Sequence, residues 1–132
     1  MGRFAISVVV MFVASMLLGF AVHGVLLGPD YAKLTSLFRT EADAQKYFPY
    51  MLLAHVFLAV GLTWIYRMGR QDKPWFGQGL RFGLAVAVLT SIPTYLVYLA
   101  VQPMPEALVI KQIVFDTLAM LVLGVIVAFV NK

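Results

Sequence analysis

The chain has 132 residues, of which 62% are hydrophobic and 12% charged, a composition that excludes an ordinary soluble globular domain. It contains no cysteine, which excludes disulfides, thiolate metal sites and cysteine nucleophiles. The net charge of +4 comes from basic residues scattered at the ends of apolar stretches. We therefore expect an integral membrane protein that binds no nucleic acid.

The first apolar stretch covers residues 4–27 and contains no charged side chain. It can cross a hydrocarbon core of about 30 Å, and it is longer than the apolar core of a signal peptide, so we expect an uncleaved span. Residues 28–47 follow as the longest polar connection. Within it, Thr40 followed by Glu41 has the pattern of a helix start, because a hydroxyl can cap the first turn and an acidic residue suits its positive end.

Three further apolar stretches have spanning length, at residues 48–66, 80–101 and 107–130. Pro93 predicts a kink in the third, because proline removes a helical hydrogen bond and clashes with the preceding turn. Continuous apolar runs predict helices, whereas the strands of a membrane barrel alternate in polarity. The expected fold is a single all-α domain over residues 1–132, an integral membrane four-helix bundle with up-down topology.

Basic residues near the span ends predict the orientation of this bundle. Six of them lie at the end that holds both termini: Arg3, Arg67, Arg70, Lys73, Arg81 and Lys132. Four lie at the opposite end: Lys33, Arg39, Lys46 and Lys111. Positive loops are retained in the cytoplasm, so we expect both termini to be cytoplasmic and residues 28–47 to be external.

Each span carries one stripe of small and polar residues at a spacing of four, which places them on one helix face. Membrane helices pack through such stripes, because small residues allow the backbones to approach closely. The expected packing residues are Gly19, Ala59, Gly83 and Gly124.

Four polar or ionisable residues, one from each span, fall at similar depth in the external half of the predicted bundle. They are His23, His55, Tyr95 and Asp116, with Ser91, Thr94 and Gln112 as supporting polar residues. The inner half offers mainly small residues. A carboxylate inside an apolar span is costly, so Asp116 is expected to have a partner or a task.

Three interpretations of this cluster remain open. The four side chains could hydrogen-bond one another and so hold the helices in register. They could instead form a pocket for a proton, an ion or a small molecule, with Asp116 as the titrating group and the histidines as relays. In the third interpretation, His23 and His55 are the axial ligands of a haem b. Apart from this haem, the sequence predicts no cofactor and no metal site.

Three segments carry a resemblance to known proteins: GFAVHG at residues 19–24, KPWFGQGLRFG at 73–83 and KQIVFDT at 111–117. They are similar to those of small, uncharacterised four-span proteins of bacterial inner membranes. The resemblance covers the whole chain and implies the same fold and membrane. It implies no activity and transfers no functional residues.

No hydrolase, Rossmann or kinase motif is present, so we do not expect an enzyme. The sequence favours an accessory or interaction subunit of a larger membrane assembly. Its expected partners are the lipid bilayer and either other membrane-protein chains or further copies of itself. A small transporter or proton- or ion-conducting protein is the first alternative, and a haem-binding electron carrier is the second.

Overall fold

The computed structural model describes residues 2–132, and over that range the chain is helical with no strand. Four helices are long and apolar enough to cross a membrane: Gly2–Leu26, Phe48–Gly69, Trp75–Val101 and Glu106–Val130. The predicted all-α fold with four spans is confirmed. The third helix begins five residues before the predicted residue 80, because hydropathy marks only the lipid-buried part of a helix that continues through the interface.

These spans and the connections divide into seven α-helices and one π-helical segment. In chain order they are α1 Gly2–Gly19, the π segment Phe20–Leu26, α2 Gly28–Ala32, α3 Glu41–Lys46, α4 Phe48–Gly69, α5 Trp75–Leu89, α6 Ser91–Val101 and α7 Glu106–Val130. α3 begins where Thr40 predicts, since the Thr40 hydroxyl accepts a hydrogen bond from the backbone N–H of Asp43 at 3.3 Å.

The π segment widens the end of the first span. The backbone N–H of Leu27 donates to the carbonyl of Val22, five residues earlier, at 2.8 Å. One extra residue in a turn rotates the helix faces that follow, and such segments are frequent at functional sites. Here the rotation buries Val22 and Leu27, while the His23 side chain between them stays partly exposed.

The third span is broken at Thr90, between α5 and α6. Pro93 accounts for the position of the break, because its ring crowds the carbonyl of Leu89, four residues earlier, and its nitrogen has no hydrogen to donate to that carbonyl. Thr90 holds the end of α5 through its hydroxyl, which donates to the carbonyl of Val86 at 2.7 Å. The structure therefore has a break in the helix at Thr90, three residues before the proline at which a kink was predicted.

α5 and α7 form the most extensive helix pair and touch through glycines. A Cβ atom added at Gly79 would lie 2.7 Å from the Gly124 carbonyl oxygen, and one added at Gly124 would lie 2.7 Å from the Gly83 nitrogen. Both distances are far inside van der Waals contact, so only glycine fits. Gly83 and Gly124 are predicted packing residues, and Gly79 extends this contact by one turn.

The apolar core consists of two clusters. The larger lies towards the termini and brings together α1, α4 and α7 through Met11, Ala59, Leu62, Tyr66, Leu123, Val127 and Ala128. The smaller lies at the opposite end and contains Val22, Leu27, Met104, Leu108 and Val109. Ala59, a predicted packing residue, is fully buried. The polar side chains described below lie beside the smaller cluster.

Candidate functional site

Asp116 is the centre of a hydrogen-bonded cluster that joins three of the four predicted residues. Its Oδ1 atom lies 3.1 Å from Nε2 of His23, which projects from the π segment. Its Oδ2 atom accepts a hydrogen bond from the Tyr95 hydroxyl on α6. The side chain of Asp116 is 15% exposed and that of His23 is 37% exposed. Both carboxylate oxygens therefore have a hydrogen-bond partner, and one of these partners, His23, is partly exposed at the protein surface.

The cluster continues beyond His23 into a chain of five side chains. Nδ1 of His23 lies 2.7 Å from the hydroxyl oxygen of Tyr31, and the Gln112 side-chain amide donates to that same oxygen at 3.2 Å. Because the carboxylate of Asp116 can only accept, Nε2 of His23 donates to it, and in the neutral imidazole Nδ1 then accepts from the Tyr31 hydroxyl. We call Gln112, Tyr31, His23, Asp116 and Tyr95 the polar chain.

Tyr31 reaches the polar chain because α2 folds back over the end of the first span. Pro29 in the first turn of α2 and Asp30 beside it suit a helix start. Nζ of Lys111 lies 3.0 Å from Oδ2 of Asp30 and ties α2 to α7. The Tyr31 ring packs against Phe38 with ring centroids 4.6 Å apart. The only signal for Tyr31 in the sequence is its helical spacing with apolar residues of the same connection.

The environment of Tyr31 keeps its hydroxyl protonated. Burial raises its pKa above the usual 10.0, and the negative charges of Asp116 and Asp30 raise it further, while the hydrogen bond from Gln112 acts in the opposite direction. Tyr31 therefore serves as a hydrogen-bond donor to His23 at neutral pH.

His55 does not join the polar chain, although it was expected to lie with the other three residues. Its Nδ1 atom lies 2.8 Å from the Ser15 hydroxyl, which itself donates to the carbonyl of Phe12 at 3.0 Å. The imidazole packs against Gly19, where an added Cβ atom would be 3.2 Å from Cε1 of the ring. α4 meets α1 at this level, so the nearest polar partner of His55 belongs to α1.

Of the three residues predicted to support the cluster, one belongs to the polar chain and two do not. Gln112 is buried and belongs to the polar chain. Ser91 is buried and Thr94 is exposed. Within residues 2–132, neither of these two side chains forms a hydrogen bond with the polar chain. The expected support from α6 thus comes through Tyr95 alone.

The two histidines predicted as alternative haem ligands differ in their hydrogen bonding. Both ring nitrogens of His23 are engaged, one with Tyr31 and the other with Asp116. His55 differs, because only its Nδ1 atom is engaged, with Ser15, and this leaves Nε2 for another partner. Iron could bind His23 only if one of its hydrogen bonds were broken. Among residues 2–132, no group of three or more His, Asp or Glu side chains is arranged to hold a metal ion.

One acceptor of the polar chain remains open. Oε1 of Gln112 is buried and receives no hydrogen bond from any group within residues 2–132. The same is true of the hydroxyl of Thr117, one residue after Asp116. Buried polar atoms of this kind are uncommon, since each carries a desolvation cost of about 1–3 kcal/mol. The α7 side of the polar chain can therefore accept one more hydrogen bond.

A second polar network occupies the opposite end of the bundle, where mainly small residues were expected. The Asn131 amide donates to the Ser7 hydroxyl at 2.8 Å, and Ser7 lies 3.3 Å from the hydroxyl of Thr63. Arg70 donates to the carbonyl of Asn131. This network joins α1, α4 and the end of α7. Asn131 was not predicted as part of a polar network, because it lies beyond the last apolar residue of the fourth span.

Comparisons with known proteins agree with this architecture. A family model described as Protein of unknown function (DUF1761) matches residues 6–128. No curated protein and no solved structure matches the chain. Together with the four spanning helices, the match confirms the resemblance to an uncharacterised group of small four-span proteins. The chain is a multi-pass membrane protein and belongs to the DUF1761 family.

Proposed function

We propose that this protein is a non-enzymatic accessory or interaction subunit of a larger assembly in a bacterial inner membrane. The observation that carries the proposal is the contrast between its interior and its surface. The carboxylate inside the spans is fully partnered by side chains of the same chain. By comparison, much of the apolar helix surface is not covered by other parts of the chain, and only 11% of the most apolar part of the third span is buried.

An exposed flank of α5, next to its contact with α7, is the surface we assign to a partner. It presents a row of large exposed apolar residues at a spacing of four, beside the glycines that contact α7. These residues are Phe76, Leu80, Leu84 and Val88, and we call them the α5 outer face. Their spacing gives a continuous ridge, which a neighbouring transmembrane helix can pack against as well as lipid can.

Purification from the native membrane in mild detergent tests this proposal. We expect a second membrane protein to co-purify in a fixed ratio. Leu84→Trp should displace it, because the added bulk stands on the ridge. Val9→Trp is the matched control, since Val9 is similarly exposed on α1. A homogeneous protein without a stoichiometric partner, or a partner that both variants retain, would contradict the assignment of the α5 outer face.

A second candidate function is proton transfer along the polar chain. Its support is the unbroken succession of groups that can exchange a proton, from Tyr31 through His23 to Asp116, with contacts of 2.7 and 3.1 Å. Histidine can relay a proton because one ring nitrogen accepts while the other donates.

Proton uptake into reconstituted vesicles distinguishes this candidate from the first. His23→Gln should abolish uptake because glutamine does not relay a proton. His55→Gln should leave it unchanged, since His55 bonds only to Ser15 outside the polar chain. Equal effects of the two substitutions, or no uptake by the unaltered protein, would eliminate proton transfer and leave the polar chain as a structural network.

A further inference from the structure

The charges of the protein are strongly divided between the two ends of the bundle. The end where α1 begins and α7 finishes carries six basic residues and a single acidic one, Asp72. The rest of the chain carries four basic and five acidic residues, including Asp116. The entire net positive charge therefore belongs to one end, where several cations lie close together on one surface.

That end contains a depression of about 480 Å³ between the connection from α4 to α5 and the last turn of α7. Arg70, Lys73 and Lys132 line it together with Asp72, Trp75 and Gln78, so three cations face one carboxylate. Its volume lies within the range of small-molecule sites in proteins, roughly 300–1,000 Å³. An adjoining depression of about 300 Å³ includes Arg81. The basic side chains thus surround a concave surface of sufficient size for a ligand.

The connection that forms one wall of the depression is held in place by Gln78. Its side-chain oxygen accepts from the backbone N–H of Gln71 at 2.9 Å. Its amide donates to the carbonyls of Gln71 at 2.9 Å and of Lys73 at 2.6 Å. Three hydrogen bonds from one side chain fix the backbone that carries Lys73. The wall is therefore formed before any ligand binds.

Asp72 lines the depression as well, but it forms no ion pair with the three cations. Among residues 2–132, no carboxylate lies at ion-pair distance from Arg70, Lys73 or Lys132. Nζ of Lys132 lies above the rings of Phe129 and Trp75, at 4.0 and 5.5 Å from their centroids. Arg70 donates to the carbonyl of Asn131 and so is anchored while keeping its charge. An anion is the ligand that these groups lack.

We propose that this depression binds the phosphate group of an anionic phospholipid headgroup. Trp75 begins a spanning helix, and tryptophan at this position lies at the level of the headgroups. Basic pockets between transmembrane helices are typical sites for acidic headgroups. Free phosphate shares the same chemistry, but the apolar flank formed by Phe129 and Phe76 suits the acyl chains of a lipid.

Fluorescence quenching of Trp75 tests the proposal in vesicles. Trp64→Phe leaves Trp75 as the single tryptophan, because the chain has only two. Brominated phosphatidylglycerol, diluted into phosphatidylcholine, should quench Trp75 more strongly than brominated phosphatidylcholine at the same mole fraction. In the double variant Lys73→Gln and Lys132→Gln, the apparent affinity for phosphatidylglycerol should fall by about 25-fold, since each basic residue near an anionic surface contributes about a factor of five to binding.

The double variant Lys33→Gln and Lys46→Gln is the control, because it removes the same charge from the opposite end. It should retain the preference for phosphatidylglycerol. Equal quenching by the two brominated lipids in the unaltered protein would overturn the proposal, as would an equal loss in both double variants. Displacement of phosphatidylglycerol by inorganic phosphate at matched ionic strength would replace the lipid with the free anion. Lys73→Gln alone, with circular dichroism as a folding check, separates lost binding from misfolding.

Discussion

Replacing Gly83 with alanine is the most direct test of how the helices pack. The new Cβ atom would lie 2.8 Å from Cα of Leu121 on α7. Carbon atoms in contact are normally about 3.5–4.0 Å apart, so α5 and α7 must separate by about 1 Å. The atoms that the methyl group meets belong to the backbone, and they cannot move aside as the end of a flexible side chain would.

Two opposing effects decide the size of the change. Alanine favours a helix interior over glycine by about 1 kcal/mol. Overpacking a fitted contact costs about 1–3 kcal/mol, and the backbone contact places Gly83 at the upper end of that range. We expect a net loss of about 2 kcal/mol in the free energy of unfolding.

Gly61→Ala is the matched control, because a Cβ atom added at Gly61 has no neighbour within 4 Å. It should gain up to about 1 kcal/mol from helix propensity alone. The measurement is reversible unfolding in mixed micelles of mild detergent and dodecyl sulfate, followed by circular dichroism. If the two variants unfolded at the same dodecyl sulfate fraction, the close approach of α5 and α7 would be refuted.

Three further predictions concern the polar networks. Asp116→Ala should lower the free energy of unfolding by about 2 kcal/mol, because it removes two membrane hydrogen bonds of about 1 kcal/mol each. Asp116→Asn should lower it by about half as much. Equal losses in the same micelle assay would contradict the hydrogen bonding of both carboxylate oxygens. Asn131→Ala should cost about 1 kcal/mol more than Asn131→Ser, which keeps a hydroxyl donor close to Ser7, and equivalent unfolding curves would show that this network adds no stability. The pKa of Tyr31 is raised from 10.0 in the folded protein, so its contribution to stability is complete below pH 10 and declines as the pH rises above that value. Tyr31→Phe should therefore reduce the loss of stability in alkaline solution, and parallel pH profiles of the two proteins would contradict the burial of Tyr31.

The elements of the fold were predictable because their signals are local. A span needs only length and an apolar composition, and both can be read from neighbouring residues. The same holds for the cap at Thr40 and for the break that Pro93 causes, since each depends on atoms within one helical turn. The orientation of the bundle in the membrane stays a prediction from its basic residues.

The candidate site was only partly predictable. A spacing of four identifies residues on one helix face, and together with equal depth it grouped His23 with Asp116, which lie 3.1 Å apart in the structure. It also grouped His55 with them, because equal depth in a span says nothing about which neighbouring helix is nearest. Tyr31 was not expected at all, since a residue in a connection has no depth that hydropathy can assign.

By itself, the sequence determined that this is a four-span helical protein with an intramembrane carboxylate that requires partners. Only the tertiary structure decided which partners those are. The π segment adds a residue to one turn and so changes the helix face that His23 occupies. α2 then places the Tyr31 hydroxyl within hydrogen-bond distance of the His23 ring. Helix spacing is local, whereas the meeting of two side chains depends on how closely their helices approach, as Gly83 and Gly124 illustrate for α5 and α7.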